Sequence, residues 1–467
     1  MVESPYRSVN PATGELLQVF DLHGDDVAFD ALARADAMFR DHWSKISFAD
    51  RAGPIARAAA LMRERRDELA RLAALEMGKK FAEGLDEVEL SASILDYYAQ
   101  NAARLLAPAK IESGRFEAWT ENSPLGVLIG IQPWNYPYYQ LARFVAPNLM
   151  SGNTILLKHA PGVPQCALIF ADILREAGLP EGVYANLFLT NDQVASLIDD
   201  PRIKGVALTG SERAGEALAA QAGRNLKKNT MELGGSDAFI VLEDADLDAV
   251  MPLAVGGRVG NCGQTCIGAK RFIVVGDRYE RFVESLAHAF TGLKLGDPLD
   301  PETNVGPLSS SAAMDLLLRQ VGDATAHGAT LVCGGIRGGS VGAFVEPGIL
   351  TDVTPDNPAY RSEFFGPVAM VFRAEDDAEA VAIANDTPFG LGGSVYSTDI
   401  EHAKRIASQV RTGMMFINYP SISAPELPFG GIDRSGYGKE LSADGIREFI
   451  NRKLVCVAPS GDFSSVG

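Results

Sequence analysis

Cys262 and Cys266 lie four residues apart in the stretch GNCGQTCIGAKR, among Gly, Gln and Thr rather than among Leu and Val. A thiol in such polar, flexible surroundings is either incidental or placed to react. To act as a nucleophile it needs a lowered pKa or a neighbouring base, and a donor for the oxyanion it creates. No histidine lies near Cys266 in sequence, so a Cys-His hydrolase is a poor fit. Glu232, in MELGG, ends an apolar run beside two glycines. A carboxylate there can act as a general base on water if partial burial raises its pKa. Asn135, in PWNYP, closes another short apolar run, and its side-chain amide can donate to an oxyanion. The plain alternatives are a loop Cys, a surface Glu and a turn Asn.

Two further segments suit an anionic ligand. TGSERAG, from Thr209 to Gly215, reads as a strand-to-helix turn in which Gly210 lets the backbone approach an anion. Ser211 is both a good N-cap and a phosphate-contacting hydroxyl, at the positive end of the helix that follows. A capped helix with no ligand accounts for the same residues, and no G-x-G-x-x-G fingerprint is present. Lys158 closes the run TILLK, at the carboxyl end of a strand, where parallel sheets bind ligands. A solvated lysine is the ordinary alternative. The six histidines are scattered, with no H-x-x-x-H and no C-x-x-C, so no metal site is expected.

Bulk composition narrows the classes. With 467 residues, 46% hydrophobic and 22% charged, the chain reads as an ordinary globular protein of two or three domains. Asp and Glu outnumber Lys and Arg by 60 to 42, a net charge of −18 that repels nucleic acid and anionic membranes at long range. The first residues, MVESPYRSVNPATGE, hold no apolar signal core, and no apolar run approaches the roughly 20 residues of a membrane span. Five cysteines without a framework of spacings argue for reduced thiols and a cytoplasmic location. Cys166, Cys333 and Cys456 sit in apolar runs and read as small hydrophobes.

The elements that must position these residues follow an α/β rhythm. Residues 50–107 read as two helices, with Leu69, Leu72 and Ala73 at helical spacing. Short apolar strands then alternate with helices: LGVLIGI, TILLKH, VYANLFL and IKGVALT. This is the pattern of a parallel, doubly wound sheet. MELGGSDAFIVL reads as one glycine-broken strand opening a second α/β domain near residue 232, with RFIVV a later strand. AKIESGRFEAWTENS predicts a hairpin turning at Ser-Gly, and KLVCVAP a strand without a helix partner. Both stray elements suit a small separate sheet.

Taken in order, PWNYP, TGSERAG, MELGGS, GQTCIGAKR, SEFFGP and PFGGIDRSGYGKEL resemble the aldehyde dehydrogenases, from NPATGE near the start to the last strand. The resemblance implies a Rossmann-type cofactor domain (1–107 and 124–231), an α/β catalytic domain (232–440) and a small β oligomerisation element (108–123 and 441–467). It assigns Cys266 as the nucleophile, Asn135 and the Cys266 N–H as oxyanion donors, and Glu232 as the activator of water. It makes Lys158, Ser211, Glu363 and Phe365 cofactor contacts, together with Trp134, Gly210 and Leu233. Family members that prefer NAD often place a Glu three residues after the lysine. Pro161 stands there in this chain, so NADP is admitted alongside NAD.

KHAP, ELGGSDAFIVL and GYGKELSADGIREF most resemble bacterial succinate-semialdehyde dehydrogenases, in which Arg143 would clasp the substrate carboxylate. The second arginine of some members is Gly260 here. A helix-face ion pair is the plain alternative for Arg143. The resemblance further implies a homodimer or homotetramer. Oxidation of uncharged aldehydes, cofactor-free ester or thioester hydrolysis through Cys266, and a silent structural protein stand as alternatives.

Overall fold

The structure, a computed structural model, describes residues 4–114 and 116–458. The first three residues and the last nine of the expected oligomerisation element lie outside the described residues. Among the described residues, no helix is long and apolar enough to cross a membrane.

Two sheets organise the chain. The first has six strands in the order Gly436–Tyr437, Lys228–Glu232, Ile203–Thr209, Val127–Gln132, Thr154–His159 and Tyr184–Asn186. All pairs are parallel except the edge pair formed by Gly436–Tyr437. Both faces are covered, as a parallel sheet requires. Val127 and Ile129 pack into one apolar cluster with Leu32 and Leu197, whereas Leu128 packs on the other side with Phe144 and Phe449. The carboxyl ends of four strands therefore deliver Asn135, Lys158, Ser211 and Glu232 to one edge of this layer.

The second sheet has seven strands in the order Thr330–Cys333, Gly348–Thr351, Val368–Ala374, Ala269–Val275, Asp237–Val241, Gly393–Tyr396 and Phe416–Ile417. Only the pairing of Thr330–Cys333 is antiparallel. MELGGSDAFIVL is not one broken strand. Its first half belongs to the six-stranded sheet and its second half to the seven-stranded sheet. The chain crosses between them at Leu233–Ser236, where a Cβ on Gly235 would stand 2.8 Å from the Cys266 carbonyl oxygen. The glycines let the crossing pass against the cysteine loop.

Residues 50–107 form three helices rather than two: Phe48–Glu64, Arg66–Met77 and Phe81–Leu105. A Ser47–Asp50 capping box starts the first, and Arg65, at φ −103° and ψ 17°, breaks it from the second. Gly78 ends the second in the left-handed conformation, where only glycine escapes the Cβ penalty.

Ala109–Ile111 and Glu117–Pro124 form the expected hairpin, and Ile450–Val457 pairs along the far side of Glu117–Pro124. This three-stranded sheet leaves Ile111, Phe116, Leu454 and Val457 exposed. All five cysteines are free. Cys166 is buried, as its apolar run predicts, but Cys333 is half-buried and Cys456 exposed. Both of these lie on strands that cover only part of a core, so an apolar run did not mean an interior position.

Candidate active site

The cysteine loop is built under backbone tension. Asn261, Cys262 and Gly263 take positive φ in succession, at 52°, 54° and 73°. A Cβ on Gly263 would come within 2.3 Å of the Gly366 backbone, so no other residue fits there. Arg258, wholly buried, donates to the carbonyls of Gly263 and Ala269 at 2.6 and 2.8 Å. It props the loop from behind and does not face a ligand. Gln264 accepts from the Ser309 N–H at 2.8 Å, and the Asn261 N–H reaches Glu83 at 3.2 Å.

The PWNYP turn meets this loop directly. Asn135 Nδ2 donates to the Gln264 carbonyl at 3.0 Å, and Asn261 Nδ2 donates to the Asn135 carbonyl at 2.8 Å. Tyr136 and Thr265 share a hydroxyl hydrogen bond of 2.9 Å. Behind the turn, Glu87 accepts from the N–H groups of Tyr138 and Tyr139 at 2.7 and 3.1 Å and pairs with buried Lys79. The Lys79 ammonium lies 3.5 Å from the centre of the Tyr136 ring. An amide has two hydrogens, so Asn135 keeps one for an oxyanion. Among the described residues the Cys266 N–H donates to nothing else.

A groove of about 260 Å³ runs between the sheets, with Cys266 in its wall. Trp134, Gly210, Ser211, Leu233, Glu363 and Phe365 line it too, so eight of the sequence-identified residues meet here once Asn135 and Cys266 are counted. Trp134 and Phe365 meet edge to face, ring centres 5.8 Å apart. Ser211 caps the helix Glu212–Arg224 by accepting from the Ala214 N–H. Gln140 and Thr209 also line the groove, and sequence reasoning assigned neither. Gln140 Oε1 is buried without a partner, an orphan acceptor facing the kind of site a ligand fills.

Farther along the six-stranded sheet, Lys158 enters a second hollow with Asn191, Leu218, Gln221 and Arg224. Lys158 is largely buried and makes no ion pair among the described residues, and burial pushes its pKa down. No carboxylate lines this hollow. Pro161 stands just past the strand with its carbonyl taken by the Arg7 N–H, and does not line the hollow. A buried, unpaired ammonium with an exposed Arg224 nearby fits the ribose and phosphate of a dinucleotide, and an added 2′-phosphate meets no negative group.

On the other side of the cysteine loop is a separate cavity of about 170 Å³. Tyr136, Thr265, Ile267, Ser394, Ser421 and Asp237 line it, with Gly256, Gly257 and Gly260 leaving a helix face bare. No Cβ on Gly256 or Gly260 would meet an atom within 4 Å. The loop is thus a partition: Cys266 faces the groove, its neighbours face the cavity.

Electrostatics divide the charged groups. Burial pushes the Cys266 thiol up to about 11, while Arg143 and Lys270 pull it back down. Burial holds the Glu232 carboxyl well above the usual carboxylate range; Arg143 opposes this and Glu440 adds to it. Both Glu232 oxygens lack hydrogen-bond partners, and one lies where a Cβ on Gly430 would touch it, 2.7 Å away. Glu232 is therefore close behind the groove but not among the residues that line it. Burial pushes Asp237 up to about 7, against the pull of Lys270.

Arg143 departs from the sequence expectation. Its side chain is sealed from solvent and pairs with Glu440. Nη1 donates to the Tyr139 hydroxyl at 3.0 Å and Nη2 to the Thr209 hydroxyl at 3.1 Å. The rings of Tyr139 and Phe429 flank it at 5.0 and 4.4 Å. The ion pair to Glu440 and the two hydroxyl hydrogen bonds engage all three guanidinium nitrogens inside the protein. The ion pair weighed as the alternative for Arg143 is present, with Glu440 as its partner. Among the described residues no cluster of His, Cys, Asp and Glu could hold a metal ion.

The family model described as the aldehyde dehydrogenase family matches residues 2–455. The succinate-semialdehyde dehydrogenase (NADP+) of Deinococcus radiodurans is 50% identical over 458 residues, covering 98% of this chain and 96% of that protein. A succinate-semialdehyde dehydrogenase (NADP+) of Mycobacterium tuberculosis is 46% identical over 457 residues, covering 97% of this chain and 100% of the other. Among solved structures, succinic semialdehyde dehydrogenase from Streptococcus pyogenes in complex with NADP+ superposes with a TM-score of 0.96 at 44% identity, covering 97% of this chain and 100% of that one.

Proposed function

The chain belongs to the aldehyde dehydrogenase family, and from that premise we propose that it oxidises succinate semialdehyde to the acid with NADP+, through a thioester on Cys266. One observation carries the reading: the cysteine loop stands between the groove and the smaller cavity, with Cys266 in the groove wall beside Asn135, Trp134, Glu363 and Phe365. Relatives named for this substrate and cofactor, at 44–50% identity across the whole chain, support the choice of both.

In this reading, an aldehyde beside Asn135 in the groove presents its carbon to the Cys266 sulfur. The thiol gives its proton to water as the C–S bond forms, and the carbonyl becomes an oxyanion, which accepts from Asn135 Nδ2 and the Cys266 N–H. These donors are fixed before the reaction by Gln264 and Asn261, and so need little reorganisation. Nicotinamide, which Trp134, Glu363 and Phe365 would hold in the groove, would supply the hydride acceptor. Loss of hydride from the thiohemiacetal leaves a thioester on Cys266. Glu232 takes a proton from water, which attacks the thioester carbon, and the acid leaves with the thiol restored. Lys158 and Arg224 would hold the phosphate-bearing ribose, Ser211 and Gly210 the pyrophosphate, and Glu363 the nicotinamide ribose.

A second reading, oxidation of uncharged aldehydes, is favoured by the commitment of Arg143 to Glu440. The cavity then offers an uncharged aldehyde the hydroxyls of Tyr136, Thr265, Ser394 and Ser421. We also read residues 1–107 and 124–231 as the cofactor domain, 232–440 as the catalytic domain and 108–123 with 441–467 as an oligomerisation element. The exposed apolar residues on its outer strand support a homodimer or homotetramer. Five free thiols suit the reducing cytoplasm. Mass spectrometry of the enzyme quenched during turnover tests the chemistry: a succinyl adduct on Cys266 is expected, and an adduct elsewhere would contradict it.

A further inference from the structure

Lys270 follows the cysteine loop, and no role for it was apparent from sequence. Its side chain is completely buried, which is costly for an ammonium unless its donors are satisfied. Nζ donates to the carbonyls of Cys266 and Thr265 at 2.7 and 2.8 Å and reaches that of Gly268 at 3.4 Å. It also stands 3.3 Å from Glu363 Oε1 and 6.0 Å from the centre of the Phe365 ring. One buried cation thus bonds to the nucleophile's own peptide, pairs with Glu363 and lies near the Phe365 ring.

We propose that Lys270 is a positioning residue that passes cofactor engagement at Glu363 to the nucleophile, because its ammonium is shared between the Cys266 carbonyl and the Glu363 carboxylate. The proposal rests on the reading of Cys266 as nucleophile and Glu363 as a cofactor contact. With Glu363 bare, its negative charge cancels part of the Lys270 field at the thiol. Ribose hydroxyls donating to that carboxylate spread its charge and compete for its oxygens. The Lys270 field then acts on Cys266 with less compensation, and the thiolate is favoured. The hydrogen bonds to Cys266 and Thr265 keep the loop in place while the partner changes.

The other charges around this point do not offer the same link. Arg143 faces Cys266 but is paired with Glu440. Asp237 faces both Lys270 and Cys266, and is bound instead to the Gly392 N–H at 3.1 Å. Arg258 faces Lys270 and is spent on the Gly263 and Ala269 carbonyls. None of the three is hydrogen-bonded to Glu363, whereas the Gly235 N–H also donates to Glu363 Oε1 at 3.0 Å and steadies it from the crossing strand.

The test is the rate of Cys266 alkylation by iodoacetamide as a function of pH, on the full chain with and without saturating NADP+. In the natural protein NADP+ should displace the profile to lower pH. Lys270→Met should displace the free-enzyme profile upward, with about tenfold slower alkylation at a fixed pH below the thiol pKa, the change that goes with one pH unit. It should also abolish the NADP+ displacement, and Lys270→Arg should recover part of it. Should Lys270→Met fail to fold, Glu363→Gln, at a partly exposed residue, gives the independent result: a free-enzyme profile already at lower pH and insensitive to NADP+. A profile that NADP+ leaves in place in the natural protein, or displaces equally in Lys270→Met or Glu363→Gln, overturns the proposal. Absence of any alkylation at Cys266 overturns the active-site reading and the proposal with it.

Discussion

Arg143 and Glu440 form a buried ion pair that joins the helix Tyr139–Ser151 to the segment that precedes Ser442–Gly445. Burial works against the charge on both partners, and each is the other's chief compensation. The pair sits within the electrostatic reach of Glu232 and of Cys266. It holds a positive charge near both groups and does not line the cavity.

Arg143→Ala should accordingly destabilise the protein by about 3–5 kcal/mol, the usual cost of leaving one partner of a buried pair uncompensated. Turnover of succinate semialdehyde and of butanal should fall together, because the lost charge served the thiol rather than one substrate. Thermal unfolding and paired kcat/KM values check this. A KM rise confined to succinate semialdehyde, with stability unchanged, would restore the carboxylate clasp.

The motifs showed the site's inventory but not which way each side chain points. Cys266 and Asn135 stood out by their polar surroundings, Trp134, Glu363 and Phe365 came only from the family resemblance, and all five line one groove. The ion pair weighed as the alternative for Arg143 was left without a partner because Glu440 lies about three hundred residues away, in GYGKEL, and a guanidinium in sequence carries no sign of what will neutralise it. Lys270 and Gln140 were missed for the same reason: burial of a polar side chain is decided by tertiary contacts. The broken strand MELGGSDAFIVL shows the limit at the level of fold, since period alone cannot reveal that the four residues Leu233–Ser236 lead into a different sheet.

The raised Glu232 carboxyl gives a pH dependence of definite sign. Burial is the main cause, so the group is protonated, and idle as a base, below its elevated pKa. Steady-state kcat limited by thioester hydrolysis should rise with pH through that pKa. Glu232→Gln should lower kcat by roughly 10²–10⁴-fold, the range for loss of a general base, and flatten the profile. A burst of NADPH followed by slow turnover is expected in the variant, and a variant lacking the burst would move Glu232 to an earlier step.

Cofactor choice rests on the hollow around Lys158. Arg224 stands in its wall and no carboxylate does. Arg224→Ala should raise KM for NADP+ by about tenfold or more, the loss of one charge-assisted contact, while leaving KM for NAD+ nearly unchanged. Initial rates with both nucleotides measure this directly, and equal effects on the two would take Arg224 away from the 2′-phosphate.

Asp237 adds a charge to the cavity wall that changes near neutrality, since burial raises its carboxyl to about 7. Below that pH it is neutral; above it, the ionised group repels a carboxylate substrate. The KM ratio of succinate semialdehyde to butanal should therefore climb as pH rises through about 7, and Asp237→Asn should remove the climb. Taking the ratio cancels the titrations of Cys266 and Glu232, which both substrates share. A ratio independent of pH in the natural protein would place the substrate away from Asp237.

The most direct measurement of the central claim is the initial rate of NADPH formation by the purified protein with succinate semialdehyde against butanal, repeated with NAD+ and with Cys266→Ser. Rapid NADP+-dependent oxidation that favours the acid semialdehyde and disappears in Cys266→Ser is the predicted result. Oxidation that persists in Cys266→Ser, or that shows no preference for either the acid semialdehyde or NADP+, would contradict it.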